Sequence, residues 1–201
     1  MANFEKSQKI VGISEGGYQC DPRDEGNYFD GNLIGTNWGI SAPTLAGFLG
    51  HAPTKTEMLH LPKETAIRIL KTNYWTKNNF DLINNQSVAT MIYDGAVNHG
   101  TNGMRFLIEK ALRTLNYQLS YYEAFTQKGI KLLNSINEKK LFYAIKTARQ
   151  NKYKQSSQKQ YLKGWLNRLE RIKFYADNSI SGIWPITVMI IAGFSLLLIG
   201  M

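Results

Sequence analysis

The sequence predicts a mainly α fold with a small loop or hairpin lobe, and three observations carry that reading. Apolar residues recur at helical spacing over most of the chain. Glycines and turn formers concentrate between positions 18 and 40, the one stretch where a short hairpin fits. An uncharged apolar run, Ile183 to Met201, follows a polar joint at 177–182. With 201 residues, 43% of them hydrophobic, the chain is long enough for one body with a real core plus an appendage.

Taken in order, a first helix spans Asn3 to Ile13 and is stopped by Gly16-Gly17, which tolerate a left-handed C-cap. Ala42-Pro43-Thr44 opens a short helix to Phe48 or Leu49. Pro62 at a first helical position starts another, with Ala66, Ile67, Leu70 and Tyr74 on one face and Trp75 just beyond. Asn84-Asn85 cap a helix over Gln86–Val97. Helices then follow over Gly103–Asn116, from Ser120 in a Tyr-rich segment, and over Glu138–Gln150. The polar stretch 150–160 reads as a loop. A last helix runs to about Tyr175 with Tyr161, Trp165, Leu169 and Ile172 on one stripe.

Residues 183–201 pose a different solvent problem. Nineteen residues at about 1.5 Å each span roughly 28 Å, close to the ~30 Å hydrocarbon core of a bilayer. Trp184 stands at the entry, as an interfacial anchor does. The segment therefore reads as a transmembrane helix; a buried C-terminal helix would have to be apolar on every side inside a small domain.

Charge sharpens this. Residues 1–138 carry 13 Lys/Arg and 13 Asp/Glu, so the net +9 lies in the last third, mostly between Lys139 and Lys173. Lying just before an apolar segment, that block favours anionic lipid as its partner. Nucleic acid is not expected, because the basic helix lacks a Gly/aromatic binding motif. Positive charge close to a span tends to stay cytoplasmic, and Met-Ala-Asn-Phe-Glu-Lys has no apolar signal region, so the body is expected to begin in the cytoplasm. Cys20 is the one cysteine, which excludes an internal disulfide. With no strong local activator evident, it reads as an ordinary thiol. His51, His60 and His99 show no metal-ligand spacing, so neither a metal nor another cofactor is expected.

The chemistry-bearing stretch is Ser14-Glu15-Gly16-Gly17-Tyr18-Gln19-Cys20-Asp21-Pro22-Arg23-Asp24, closed downstream by Gly35-Thr36-Asn37-Trp38-Gly39-Ile40. Glu15 falls at the negative end of the first helix, where ionising a carboxylate is disfavoured. A carboxylic acid that keeps its proton near neutral pH is what a glycosidase uses as proton donor. Asp24 and the Thr36 hydroxyl follow. The plainer reading is a helix end and a polar loop.

Glu15-Gly16-Gly17-Tyr18, Asp21-Pro22-x-Asp24, Gly35-Thr36-Asn37-x-Gly39-Ile40 and Tyr74-Trp75 resemble the signature of the glycoside hydrolase family 108 N-acetylmuramidases. So do Asp94-x-Ala96-Val97-Asn98-x-Gly100 and Gly164-Trp165-Leu166-Asn167-Arg168. The resemblance implies a lysozyme-like fold, with a glycosidase region over 1–90 and a helical peptidoglycan-binding region over 91–177 packed on it. It implies hydrolysis of the β-1,4 bond between N-acetylmuramic acid and N-acetylglucosamine, with Glu15 as general acid and Asp24 and Thr36 positioning or activating water. Tyr18, Trp75 and Asn98 become candidate substrate contacts, although Tyr74 and Trp75 equally suit core packing. The implied setting is a bacterial or prophage-host inner membrane, as for a phage-like endolysin. A membrane-tethered peptidoglycan-binding protein without turnover is the alternative. One departure stands out. The family runs from Asp-x-Gly-Gly almost directly to Thr, whereas here Tyr28-Phe29-Asp30-Gly31-Asn32-Leu33-Ile34 intervenes.

Overall fold

The computed structural model describes residues 1–12 and 16–176. Their architecture is mainly helical with a small two-stranded antiparallel sheet. α1 (Phe4–Val11) starts at Asn3, whose side chain accepts from Lys6 N, and ends with Gly12 as its C-cap. Gly12 keeps right-handed backbone, and residues 13–15, where the helix was expected to run on toward Gly16-Gly17, lie outside the described residues. β1 (Tyr28–Phe29) and β2 (Asn32–Leu33) pair Tyr28 with Leu33 and Phe29 with Asn32. Asp30 (φ 47°) and Gly31 (φ 75°) supply the two left-handed residues of the tight turn between them.

α2 (Ala42–Leu49) has the expected bounds. α3 (Lys55–Leu59) was not expected, though Thr54 and Glu57 form a reciprocal capping box that marks its start. α4 (Lys63–Leu70) follows Pro62, which caps it rather than entering its first turn. The chain continues through a wide turn over Lys71–Trp75.

α5 (Gln86–Thr114) joins the two helices expected over 86–97 and 103–116, with one non-helical residue inside, Gly100 at φ 71°, ψ 159°. Its first segment is buried on all sides, as a helix through the middle of a body must be. The polar residues there are matched. Gln86 accepts from Asn3 N at 2.7 Å and donates to Asn3 O and Ser7 Oγ, while Ser7 and Thr90 bond each other at 2.8 Å. Phe4, Trp75 and Tyr93 stack edge-on beside it, with centroids 5.5 to 5.7 Å apart.

Beyond α5 the Tyr-rich segment makes only a single 3₁₀ turn, Tyr121–Glu123. A Cβ on Gly129 would meet Glu123 O at 2.1 Å, so the chain has folded back too closely for a helix to continue. α6 (Gln127–Ser135) begins instead at Thr126, which accepts from Gly129 N. α7 (Glu138–Gln155) overruns the polar stretch expected to be a loop. α8 (Leu162–Arg171) is shorter than expected at both ends, and Tyr161 lies in a preceding 3₁₀ turn. Among the described residues no helix is long and apolar enough to cross a membrane; the apolar run 183–201 lies outside them.

One ion cluster locks α5, α7 and α8 together. Asp94, buried, accepts from Arg149 Nη2 at 2.6 Å and from Arg168 Nε at 2.8 Å. Arg149 is fully buried and also donates to Met91 O and Tyr153 Oη. Burial opposes ionisation of Asp94, but the two guanidinium groups outweigh it and hold the carboxyl below its ordinary value. Removing one partner from such a buried pair costs about 3–5 kcal/mol, because a charge is left stranded.

His99 sits beside this cluster, its ring 5.0 Å from Tyr153 and its Nε2 buried without a hydrogen bond. Burial, reinforced by the Arg149 charge, pulls its pKa from 6.5 down to about 3. Folding therefore favours the neutral ring. That contribution is complete above pH 6.5 and is lost as pH falls from there toward 3. The loss should add up to about 1.4 kcal/mol per pH unit to the slope of unfolding free energy. His99→Phe should remove that increment in denaturant titrations between pH 7 and 4; equal slopes for both proteins would assign the protonation elsewhere.

Candidate active site

The loop lobe is built on Gln19. Its backbone pairs with Thr36 in both directions, Gln19 N to Thr36 O and Thr36 N to Gln19 O, each 2.9 Å. Its side-chain Nε2 donates to Asp24 Oδ2 at 3.1 Å and Asn27 Oδ1 at 3.0 Å. Its Oε1 accepts from Asp21 N and from Asn27 Nδ2. Asp24 and Thr36, twelve positions apart in sequence, thus meet on either side of one residue. Asp24 is exposed and caps the 3₁₀ turn Glu25–Asn27, accepting from Gly26 N at 3.0 Å. Asn27 is buried, and its carbonyl accepts from both Ile34 N and Gly35 N, which closes the hairpin at its base. The inserted residues fold into β1–β2 beyond that closure, so the Gln19–Thr36 pairing survives the insertion.

The Thr36 side is bolted to the helices. A turn with Trp38 (φ 51°) and Gly39 (φ 76°) pairs Asn37 with Ile40. Asn37 Nδ2 donates to Met58 O, and Trp38 Nε1 to Leu61 O. Asp21 cannot serve as a proton donor. Hydrogen bonds from the Arg23 side chain and then its backbone, with Tyr161 Oη at 3.0 Å, hold its carboxyl well below the usual range.

A second group lies along α5, α7 and α8. Asn98 accepts from Tyr153 Oη at 2.6 Å, Trp165 stacks on Tyr153 at 5.2 Å, and Tyr161 lies 5.8 Å from Trp165. The Tyr161–Asp21 bond links this aromatic run to the loop lobe.

Of the residues picked out in the sequence, Asp24 and Thr36 come together, and Asn98 joins the second group. Glu15 lies outside the described residues. Trp75 does not reach either group: it is 2% exposed, walled in by Phe4, Phe80 and Tyr93, and has no face for a sugar. Tyr18 is half-buried and its hydroxyl donates to Ile34 O. Burial and the neighbouring Cys20 push its pKa up to about 12, so it remains a neutral phenol. Sequence reasoning missed Gln19, Asn27 and Tyr153. Among the described residues no three His, Cys, Asp or Glu side chains gather closely enough to hold a metal ion.

Residues 8–100 match the family model described as glycosyl hydrolase 108, a span that holds Glu15, Asp24, Thr36 and Asn98. Over this segment, a little under half of the chain, the sequence is similar to that family. The solved structure of Brucella abortus SagA has the same fold, at a TM-score of 0.70 and 24% identity over 84% of this chain and 90% of that one. No curated protein matches the chain.

Gly35 is the steric hinge of the lobe. It has φ +100°, and a Cβ there would lie 2.6 Å from the Tyr18 ring and 2.8 Å from Gln19 O. Gly35→Ala should therefore lower stability by about 1–3 kcal/mol in thermal or denaturant unfolding. An unchanged midpoint would mean the Tyr18–Gly35 contact gives way freely.

Proposed function

We propose that the chain is a lysozyme-type peptidoglycan hydrolase that cleaves the β-1,4 bond between N-acetylmuramic acid and N-acetylglucosamine. The observation that carries this reading is the meeting of Asp24 and Thr36 at Gln19, directly after Glu15-Gly16-Gly17 and inside the family segment. In this reading Glu15 protonates the glycosidic oxygen as the bond breaks. Asp24 helps orient or activate the water, and Thr36 orients that water. The Asp24 carboxylate suits the role because Gly26 N and Gln19 Nε2 fix its direction while it stays exposed. The Thr36 hydroxyl has no hydrogen bond among the described residues, which leaves it free for water. Asn98 and the half-buried Trp165, which is backed by the buried Tyr153, contact the glycan strand.

Glu15→Gln keeps the size of the side chain but has no proton to give. Its turnover on purified cell wall should fall at least ~10²-fold, with the melting curve unchanged. A folded Gln variant that clears a zymogram like wild type refutes the assignment.

The apolar segment 183–201 is proposed as a membrane anchor that keeps the body in the cytoplasm until the membrane is breached. Truncation after Gly182 should give protein that stays in the soluble fraction and still cleaves wall, while the full chain sediments with membranes and resists carbonate extraction. Full-length protein in the soluble fraction would remove the anchor.

A further inference from the structure

We propose that Gln19 is a positioning residue: it sets the Asp24 carboxylate against Thr36 and so transmits the geometry of the hairpin base to the reacting water. This rests on the roles given above to Asp24 and Thr36. Both side-chain N–H groups of Gln19 are spent, one toward Asp24 at 3.1 Å and one toward Asn27 at 3.0 Å. Its carbonyl takes two donors, Asp21 N and Asn27 Nδ2. The amides of Gln19 and Asn27 thus form a reciprocal pair whose orientation is fixed, since flipping either would put donor against donor. Asn27 is fully buried and staples the base of the hairpin through its carbonyl, and its own N–H donates to Asp24 O at 3.0 Å. Asp24 is therefore held from two directions, by the Asn27 backbone and by the Gln19 side chain. Thr36 is held by the Gln19 backbone.

A merely structural role predicts that Gln19 variants lose stability and that any kinetic loss is independent of Asp24. A positioning role predicts a loss in kcat that requires Asp24, because misplacement of a catalytic group raises the barrier to the bound reaction more than it weakens binding. The experiment uses the full chain in detergent on soluble peptidoglycan fragments, with four proteins: wild type, Gln19→Met, Asp24→Asn and the double variant. Gln19→Met keeps the length and removes every side-chain hydrogen bond. It should lower kcat roughly tenfold with KM within about twofold, and in the Asp24→Asn background it should have less than about a twofold further effect. If Gln19→Met melts far below wild type, Gln19→Glu carries the same cycle. It keeps the acceptor toward Asp21 N and Asn27 Nδ2 but loses the donors to Asp24 Oδ2 and Asn27 Oδ1. A Gln19 variant with wild-type kcat overturns the proposal, as does an equal loss in both backgrounds. Wild-type turnover in Asp24→Asn would instead overturn the role of Asp24 itself, and this proposal with it.

Discussion

Asp94 accepts from Arg149 and Arg168 inside a core that excludes water, so three charges on three helices depend on one another. The fully buried Arg149 would be stranded without the carboxylate, and the two guanidinium groups together hold the buried carboxyl below its ordinary value. The consequence reaches further than the cluster. Arg149 Nη2 donates on to Tyr153 Oη, and Tyr153 donates to Asn98. Trp165 stacks on the Tyr153 ring, and Arg168 fixes the helix that carries Trp165. Four residues before Trp165, Tyr161 reaches Asp21 in the loop lobe. A single buried ion cluster therefore sets where the late helices meet the early loop.

The loop lobe follows a different logic. Ile34 and Ile40 tie it into the main core, and the rest is held by polar groups that satisfy each other in pairs: Gln19 with Asn27, Asp21 with Arg23, Asp24 with Gly26 N. Hydrogen bonds of this kind contribute little net stability where water competes, but they define direction closely. The helical body supplies the stability, through α5 and the aromatic residues around Trp75. Direction and stability are thus assigned to separate parts of the chain.

What could be read from the sequence follows from this division. Helices with a clear local signal, such as α2 with its opening proline, the first segment of α5 with its asparagine cap and the start of α7, lie where those signals put them. The stretch 150–160 did not, because α7 is prolonged by Arg149 and Tyr153, whose partners lie 55 positions back at Asp94 and Asn98. Local polarity lost to a tertiary contact that no window of sequence contains. Trp75 was ambiguous for a similar reason, since an aromatic residue suits a core and a sugar equally until its neighbours are known. Gln19 carried no signal at all: it lies on no periodic face, and its importance comes from Thr36 and Asn27 folding back to it.

The hairpin has one more consequence. Asn27 gathers Ile34 N and Gly35 N onto one carbonyl, and everything from Tyr28 to Leu33 extends beyond that knot. Residues at the tip are exposed, and nothing lies within 4 Å of a Cβ built on Gly31. The Asp30–Gly31 turn is therefore a natural graft point. Chain can be added there, as a tag or an affinity module, without moving the residues on the near side of the knot.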